Sequence, residues 1–586
     1  MRSAVHSRNF LLGVIWIALG SVSLAEAAGV TNAGDDMRTG WYPEEGFITP
    51  SIVGSPAFAQ RWNITVNGQV IAQPLYHTGQ VLIATENNQV YNLDADTGTI
   101  LWSRSFGAPF STSEVGCNQV APSAGVTSTP VIDDEARIVY LASMQYTTGS
   151  SGPVEWNVHA LNLDSGKEIA GFPVKLQGAA QNAPAQTFNA FRHQNRPGLL
   201  LMGGVVYVAL GSHCDIGPYQ GWIFGVSTAG QITARWTSRA ATGTNGAAIW
   251  QSGGGMVSDG PGRIFFATGN GGAPTTARVG SNPPTNCGEC VMRVNVQPDG
   301  TLLAQDFFAP SNAGSLDTFD RDLGSSAQAG LPSAYFGTSV VRNLLVQSSK
   351  EGYLYLMNRD DLGGVKQGAG ATDKVVQRLG PYQGVWNRPS VWPGDGGYVY
   401  LLGSGGPLKA FKYGVDGTNK PTLTNTGNST DTFGYGSGSP IITSDGTTNG
   451  SALVWVVRMN DGSGTGGQLR AYDAVPSGAN LVQRFSTPIG LGAKYAPPGA
   501  GRGMILVGTL DGHVIAFGAP AAELTLTKTA TAVHLAWSNN AAPYTLRRAD
   551  DARFKLNSSR LVDKQPLTSF DDAVLGDGKN YFYLVN

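Results

Sequence analysis

The chain of 586 residues combines 79 glycines and 9% aromatic residues with only 14% charged residues, and its formal net charge is -2. This composition favours many short strands and tight turns over long helices. The balanced charge excludes a basic nucleic-acid-binding surface and an acidic tail. We therefore expect an all-β protein whose partners are small or neutral molecules and not nucleic acid.

The N-terminus has the order of segments found in a secretory signal peptide. Arg2 and Arg8 precede an apolar run from Phe10 to Leu19, and the small-residue sequence Ala-Glu-Ala follows at residues 25–27. This order predicts cleavage after Ala27 and a periplasmic or secreted protein. No other segment approaches the roughly 18 apolar residues of a membrane-spanning helix, so we expect no membrane span.

The mature chain contains an even number of cysteines, as expected in an oxidising compartment where disulfides form. They are Cys117, Cys214, Cys287 and Cys290. The short spacing of Cys287 and Cys290 favours a local loop disulfide over a zinc site, because four thiolates at workable spacing are not available. No C-x-x-C-H sequence is present, so no attached haem is predicted.

A repeated pattern begins at residues 79–102, GQVLIATENNQVYNLDADTGTILW, which alternates strand, turn, strand and turn before a terminal tryptophan. Related units begin at about residues 136, 203, 262, 342, 397, 451 and 501, a period slightly above the ~40–50 residues of a propeller blade. Each unit is apolar on both faces and must stack on its neighbours. An eight-bladed β-propeller over residues 54–520, after an extension at 28–53, fits this spacing better than an open sandwich or two barrels.

Two further segments complete the predicted organisation. A strand near Arg61–Gly68 precedes the first unit and is placed to pair with the last unit, which would close the ring. After Pro520 the pattern changes to alternating strands that end in YFYLV. Residues 521–586 resemble a fibronectin type III module, for which we expect a spacer or docking role.

The first repeat resembles the tryptophan-docking repeat of pyrroloquinoline quinone (PQQ) propellers. The matching residues in LDADTGTILW are Asp94, Thr97, Gly98 and Trp102. Outer-membrane assembly propellers that bind no quinone share this repeat. The resemblance therefore implies the propeller fold without deciding whether a cofactor is bound.

Four loops are similar to the quinoprotein alcohol dehydrogenases, in the same order along the chain. In GSHCDIGPYQGWI, Asp215 stands where that family has a metal-binding glutamate, and in TGN, Asn270 matches the metal-binding asparagine. In DTFDRD, Asp320 matches the catalytic base and Asp322 the additional carboxylate that some members use on a lanthanide. In SSKEG, Lys350 matches the cation that touches the quinone.

This resemblance implies a PQQ-dependent dehydrogenase that oxidises an alcohol or a sugar. Asp215, Asn270, Asp320 and Asp322 would bind Ca²⁺ or a lanthanide, since hard cations take oxygen ligands. Asp320 would remove the substrate hydroxyl proton, and Lys350 would offset charge on the quinone oxygen. Because no haem is fused, electrons would pass to an external acceptor.

The chain also departs from that family. The paired adjacent cysteines above the quinone are reduced to Cys117, and the arginine expected shortly afterwards is absent. Cys214 precedes Asp215, so we hypothesise that a Cys117–Cys214 disulfide closes over the same funnel. Glycines occupy the position of the stacking tryptophan, and we expect Trp250 to replace it.

Each of these residues also has an ordinary structural interpretation. Asn270 beside its glycines is typical of a left-handed turn, and Asp320 and Asp322 are typical of solvated loop acids. Lys350 is equally typical of an exposed turn. A second function therefore stays open, in which the propeller binds no cofactor and presents its loops to protein or carbohydrate.

Overall fold

The computed structural model describes residues 30–120 and 122–519, together with six β-strands between residues 523 and 585. The first of these regions forms eight sheets of mainly antiparallel strands, arranged as the blades of a β-propeller. This confirms the predicted all-β, eight-bladed fold. The predicted signal peptide, residues 1–27, lies outside the described residues.

The blades are numbered in chain order, and each runs from its innermost strand at the central channel to its outer edge. Blade 1 contains Leu75–His77, Gln80–Ala84, Gln89–Asp94 and Ile100–Ser105. Blade 2 contains Val131–Asp133, Ile138–Tyr146, Val154–Asn162 and Val174–Lys175. Blade 3 contains His193–Gln194, Leu200–Met202, Val205–Ser212, Trp222–Ser227 and Ile232–Thr237. Blade 4 contains Arg263–Ala267, Val291–Val296 and Leu302–Phe308.

The second half of the ring continues the same plan. Blade 5 contains Ala329–Leu331, Leu344–Ser348, Leu354–Asn358 and Gln377–Leu379. Blade 6 contains Ser390–Trp392, Tyr398–Leu402, Leu408–Val415 and Pro421–Asn428. Blade 7 contains Ile441–Thr443, Leu453–Arg458, Gly467–Asp473 and Gln483–Gly490, with the short Trp41–Tyr42 strand parallel to the first. Blade 8 contains Gly499–Gly501, Met504–Gly508, His513–Gly518 and the early strand Ala59–Thr65.

The ring closes by pairing an N-terminal strand with the last unit. Ala59–Thr65 lies antiparallel to His513–Gly518, with Trp62 opposite Ala516. Pairing the two ends of the propeller within one sheet joins the first blade to the last. The predicted closing strand is therefore confirmed, although it begins two residues earlier than expected.

The hydrophobic core consists of eight layers, one between each pair of neighbouring blades. The layer between blades 4 and 5, for example, packs Phe265 and Phe308 against Leu345 and Tyr355, all fully buried. Both faces of a blade thus lose their contact with water only when the neighbouring blades are in place. This is the physical reason why the isolated repeat unit cannot be stable.

Tryptophan docking locks the first blades together. The Trp102 indole nitrogen donates to the Leu163 carbonyl oxygen in blade 2 at 2.7 Å. A Cβ atom on Gly166 would lie 2.6 Å from the Trp102 ring, so the turn beneath the indole requires glycine. Trp62 of the closing strand packs on Gly98 in the same way, a second docking contact that the sequence pattern did not predict.

Residues 30–45, here called the N-terminal plug, cross one end of the central channel. Its backbone carbonyl oxygens accept hydrogen bonds from successive blades, through the amides of Ile132, Ser258, Gly330, Val391, Ile442 and Ser444. Glu45 then accepts from the Gly503 amide in blade 8 at 2.7 Å. One short segment thereby ties together the innermost strands of most of the ring.

The remaining elements are short. The α-helices are Pro50–Val53 and Ala313–Phe319, and the 3₁₀ helices are Thr112–Val115, Ala190–Arg192, Leu323–Ser325, Ala369–Ala371 and Gly394–Gly396. Two small ladders pair Phe110–Ser111 with Ser123–Ala124 and Ala179–Ala180 with Ala183–Thr187. Across the described segments, no helix has the length and apolarity that a membrane crossing requires.

The C-terminal strands form two three-stranded antiparallel sheets. One contains Glu523–Lys528, Val533–Ser538 and Ser569–Asp572, and the other contains Ser559–Gln565, Tyr544–Ala549 and Phe582–Val585. Two antiparallel sheets are the general plan of a β-sandwich. The fibronectin type III resemblance stays a prediction, as do the domain boundaries.

Candidate functional site

A cavity of about 520 Å³ opens at the end of the channel opposite the N-terminal plug. In blade 5, Ser325 lines the cavity and Gly330, five residues later, contacts the plug. In blade 6, Trp386 and Val391 repeat this order. The innermost strands therefore run from the cavity to the plug. A cavity of this size suits a cofactor or a small ligand.

Six of the predicted site residues line this one cavity. They are Cys214, Asp215, Trp250, Asp320, Asp322 and Lys350. They are separated by up to 136 positions in the chain, and the packing of blades 3 to 5 around the channel brings them together. Cys117 and Asn270 contact members of this set directly.

The Lys350 side chain bridges two of the acids. Its ammonium nitrogen lies 2.8 Å from a carboxylate oxygen of Asp320 and 2.8 Å from one of Asp322. Asp320 is largely exposed at the end of the helix Ala313–Phe319, whereas Asp322 is buried. Neither Asp322 nor Lys350 is therefore the solvated loop residue of the alternative interpretation.

Burial and charge act in opposite directions on this group. Burial raises the pKa of Asp322 despite the opposing effect of the Lys350 ammonium. Burial alone would lower the pKa of Lys350, but the charge of Asp322 and the hydrogen bonds to Asp320 and Asp322 outweigh it, so the pKa lies above its usual value. The lysine therefore stays charged within the cavity, where it can stabilise negative charge.

Asn270 faces the same acids. Its backbone amide donates to Asp322 Oδ1 at 3.3 Å, and its side-chain amide donates to Asp320 Oδ1 at 3.4 Å. The left-handed backbone conformations of this turn fall on Gly271 and Gly272, not on Asn270. The glycines thus supply the left-handed conformations of the turn, and the Asn270 side chain contacts Asp320.

Asp215 also lines the cavity and is exposed. Its carboxylate accepts a hydrogen bond from the Ser212 hydroxyl at 3.1 Å. The residue itself has a left-handed backbone, with a φ of 58°. Burial and the nearby Asp215 charge both raise the pKa of Tyr219, which keeps that phenol protonated.

The hypothesised Cys117–Cys214 disulfide is present, with the two Cα atoms 5.5 Å apart. It joins the loop after blade 1 to the wall of the cavity beside Asp215. The predicted local disulfide Cys287–Cys290 is also present. Both cysteine pairings are therefore confirmed, while a role of the first pair against a quinone stays a prediction.

Aromatic side chains form part of the cavity wall. Trp250 is supported by two glycines, since Cβ atoms on Gly211 and Gly269 would lie 3.4 and 3.6 Å from its ring. Trp386 and Tyr435 also line the cavity, with ring centroids 5.0 Å apart in an edge-to-face contact. The sequence analysis missed these two and Tyr495, which stand shortly before the innermost strands of blades 6, 7 and 8.

Glu289 is a further residue that the sequence analysis missed. It lies fully buried inside the Cys287–Cys290 loop and accepts the Leu323 amide at 2.6 Å. Burial and then the charge of Asp322 raise its pKa well above the usual range. Its protonated form is thus favoured next to the charged group. A carboxylate inside a four-residue C-G-E-C loop was the signal available in the sequence.

The predicted metal ligands converge only in part. Within residues 30–120 and 122–519, no group of three or more His, Cys, Asp or Glu side chains is arranged to hold a metal ion. Lys350 instead occupies the space between Asp320 and Asp322, as a cation would. A metal ion would have to displace this ammonium group, so the metal assignment stays a prediction.

The comparisons with known proteins agree on the fold. A family model described as outer membrane protein assembly factor BamB matches residues 59–209. The quinohemoprotein alcohol dehydrogenase from Comamonas testosteroni is 16% identical, with a TM-score of 0.56 over 87% of this chain and 84% of its own. A europium-containing methanol dehydrogenase is 13% identical, with a TM-score of 0.55 over 85% and 99% of the two chains.

A weaker likeness links the chain to BamB from Moraxella catarrhalis, which is 12% identical with a TM-score of 0.45 over 79% and 99% of the two chains. No curated protein sequence matches the chain significantly. The protein is therefore an eight-bladed PQQ-like β-propeller with the fold of the quinoprotein dehydrogenases. These similarities establish the fold. The activity has to be inferred from the residues of the cavity.

Proposed function

We propose that this protein is a PQQ-dependent dehydrogenase that oxidises an alcohol or a sugar in the periplasm or outside the cell. The single observation that carries the proposal is one cavity lined by Asp215, Asp320, Asp322 and Lys350. The dehydrogenase folds named above and the aromatic side chains of the cavity wall support the same conclusion. The electron acceptor would be a separate molecule.

The cavity has an aromatic residue and a disulfide that could hold a quinone cofactor. A planar, polar cofactor requires a slot with aromatic surface on one side and a rigid wall on the other. Trp250 and the Cys117–Cys214 disulfide both border the cavity and would hold it. When bound, PQQ would supply the chemistry of accepting a hydride equivalent, that is two electrons and a proton, from the substrate carbon.

The protein residues would handle the proton and the charge. Asp320 is exposed to the cavity mouth and would accept the hydroxyl proton of the alcohol as the carbon is oxidised to a carbonyl. Lys350, which lies beside Asp320 and Asp322, would offset negative charge that develops on the quinone oxygen. Asp322, which is buried, would hold Lys350 in place.

The test is reconstitution of the purified full-length protein with PQQ and either Ca²⁺ or a lanthanide. We expect quinone absorbance that stays with the protein and dye-linked oxidation of an alcohol or sugar. Asp320→Asn should retain the absorbance and lose about 10²–10⁴-fold of the rate. The exposed acid Asp299 provides the matched control, since Asp299→Asn should behave as wild type.

A specific observation favours a second function. The ion pairs of Lys350 with Asp320 and Asp322 satisfy both acids without a metal. The family model matching residues 59–209 is described as an assembly factor and not as an enzyme. A propeller that binds no cofactor and presents its loops to protein or carbohydrate would show no quinone absorbance under any of the ions tested.

A further inference from the structure

One corner of the cavity carries two cations that form no ion pair with an acid in the described part of the chain. Arg196 and Lys494 both line the cavity, and the Arg196 guanidinium donates to the Lys494 carbonyl oxygen at 2.7 Å. Among residues 30–120 and 122–519, neither cation lies within 4.0 Å of an acidic oxygen. This contrasts with Lys350, which pairs with two acids in the same cavity.

A buried cation and a half-buried cation held side by side are costly without a counter-ion. Arg196 is 9% exposed, and burial lowers its pKa. Burial and the charge of Arg196 likewise lower the pKa of Lys494. Glu86 is the acid whose charge acts most strongly on Arg196. Burial raises the pKa of Glu86 to about 7. Glu86 therefore neutralises the pair only weakly.

A second, independent observation points to a ligand at this corner. Gln194 lines the cavity and is completely buried, yet neither its amide nitrogen nor its amide oxygen has a hydrogen-bond partner within the described part of the chain. Leaving a buried amide unpaired is unfavourable. Its strand His193–Gln194 pairs with Ser212 and Gly211, so it lies next to the wall that bears Cys214 and Asp215.

The remaining polar neighbour leaves room for a ligand. The Lys494 ammonium donates one hydrogen bond, to Gln119 Oε1 at 2.9 Å. An ammonium group has three donors, and a guanidinium has five. Arg196 uses one of them in the contact with Lys494. The pair therefore retains several donors for an incoming acceptor.

We infer that Arg196, Lys494 and Gln194 form a subsite for a carboxylate group of the ligand that occupies the cavity. The inference deepens the proposed function and rests on it where the ligand is the cofactor. A carboxylate supplies the missing negative charge and accepts hydrogen bonds from both cations, while a donor atom of the Gln194 amide completes the set. PQQ is a tricarboxylic acid, and a hydroxy-acid substrate would present the same group.

The test measures equilibrium binding to the full-length protein by quenching of tryptophan fluorescence, in buffer containing Ca²⁺. The probes are PQQ, its trimethyl ester and benzene-1,3,5-tricarboxylate, which has carboxylates but no quinone. We expect wild type to bind PQQ at least about 10-fold more tightly than the ester, as charge-assisted hydrogen bonds imply. Arg196→Met and Lys494→Met should each weaken PQQ about 10-fold and leave the ester unchanged.

Further variants separate charge from folding. Gln194→Leu should weaken PQQ binding moderately, and Gln194→Glu should weaken it more because a like charge then faces the carboxylate. The exposed cations Arg104 and Lys167 provide controls, since Arg104→Met and Lys167→Met should bind like wild type. Lys494 is only half-buried at the cavity wall, so its variant reports on the subsite even if Arg196→Met folds poorly.

Different outcomes identify the source of the carboxylate. Competition between PQQ and the tricarboxylate assigns the subsite to the cofactor. Binding of 2-hydroxypropanoate to the PQQ-loaded protein, lost in Lys494→Met, assigns it to the substrate. Equal affinity of wild type for PQQ and its ester, or variants that match the controls, would overturn the inference.

The proposed function can fail separately. If wild type binds neither PQQ nor its ester, the dehydrogenase proposal is wrong. Binding of benzene-1,3,5-tricarboxylate then becomes the test of whether the carboxylate subsite exists. Binding of that probe to wild type and its loss in Lys494→Met would still support a carboxylate subsite. No binding of the tricarboxylate in that case would overturn the inference as well.

Discussion

The arginines at the two ends of the central channel differ in how many hydrogen bonds they donate to the protein. At the plug end, Arg38 is fully buried and donates to Met256, Leu199 and the plug itself. Arg388 next to it donates to the carbonyl oxygens of Arg38, Pro389 and Pro440. At the cavity end, Arg196 lines the cavity and, among the described residues, donates one hydrogen bond, to the Lys494 carbonyl oxygen.

This difference separates a structural role from a binding role. Backbone carbonyl oxygens that accept from a guanidinium fix the blades in position and leave nothing for a ligand. A cation with unused donors, by contrast, contributes little to folding and gains its partner only on binding. The plug end therefore stabilises the ring, and the cavity end retains the groups from which a site is made.

Replacing the plug arginine should produce the largest loss of stability. Arg38→Met removes hydrogen bonds to several buried carbonyl oxygens that have no access to water, so we expect a loss of about 3 kcal/mol or more in the free energy of unfolding. Urea unfolding measures it. The exposed Arg104→Met should change it by less than about 0.5 kcal/mol. Equal effects of the two variants would contradict the structural role of the plug.

Removal of the cavity disulfide should rank next. Cys117 and Cys214 are separated by 97 positions, and a disulfide closing so long a loop contributes typically about 2–4 kcal/mol. Replacing both by serine should lower the unfolding midpoint accordingly. Cys287 and Cys290 are only 3 positions apart, so their double serine variant should lose less. The reverse order would show that loop length does not govern these two bonds.

Glu86, behind the cationic corner, predicts a pH effect of known sign. Burial raises its pKa from 4.5 to about 7, so its contribution to stability is fully present below pH 4.5 and is lost as the pH rises through 7. Glu86→Gln removes this dependence. We expect the variant to match wild type at pH 4.5 and to exceed it by about 3 kcal/mol at pH 8. Parallel stability curves for the two proteins would contradict the burial effect.

The same contrast explains which parts of the fold the sequence predicts. The blades repeat a strand-and-turn pattern, so their number, their order and the closing strand Ala59–Thr65 could be predicted from spacing. The N-terminal plug could not be predicted from the sequence. It binds the blades through its backbone carbonyl oxygens, which every residue type has, so these contacts produce no sequence pattern. Residues 28–53 were therefore expected only as an extension.

The site was predictable only where a motif contains several residues at once. Asp320, Asp322 and Lys350 belong to short motifs, and all three line one cavity. Arg196 and Lys494 are separated by 298 positions and become neighbours only when blade 8 closes on the ring. Single cations and aromatic residues in different blades carry no local signal, so their convergence requires the three-dimensional structure.

The smallest expected effect on stability is the sharpest test of the comparison. Arg196→Met loses one hydrogen bond but also removes repulsion with Lys494 and the burial of a charge, so we expect the free energy of unfolding to change by less than about 1 kcal/mol. Arg38→Met, the same substitution at the other end of the channel, provides the matched reference in urea unfolding. If Arg196→Met destabilises the protein as strongly as Arg38→Met, then the cavity arginine is a structural residue and its unused donors have no functional meaning.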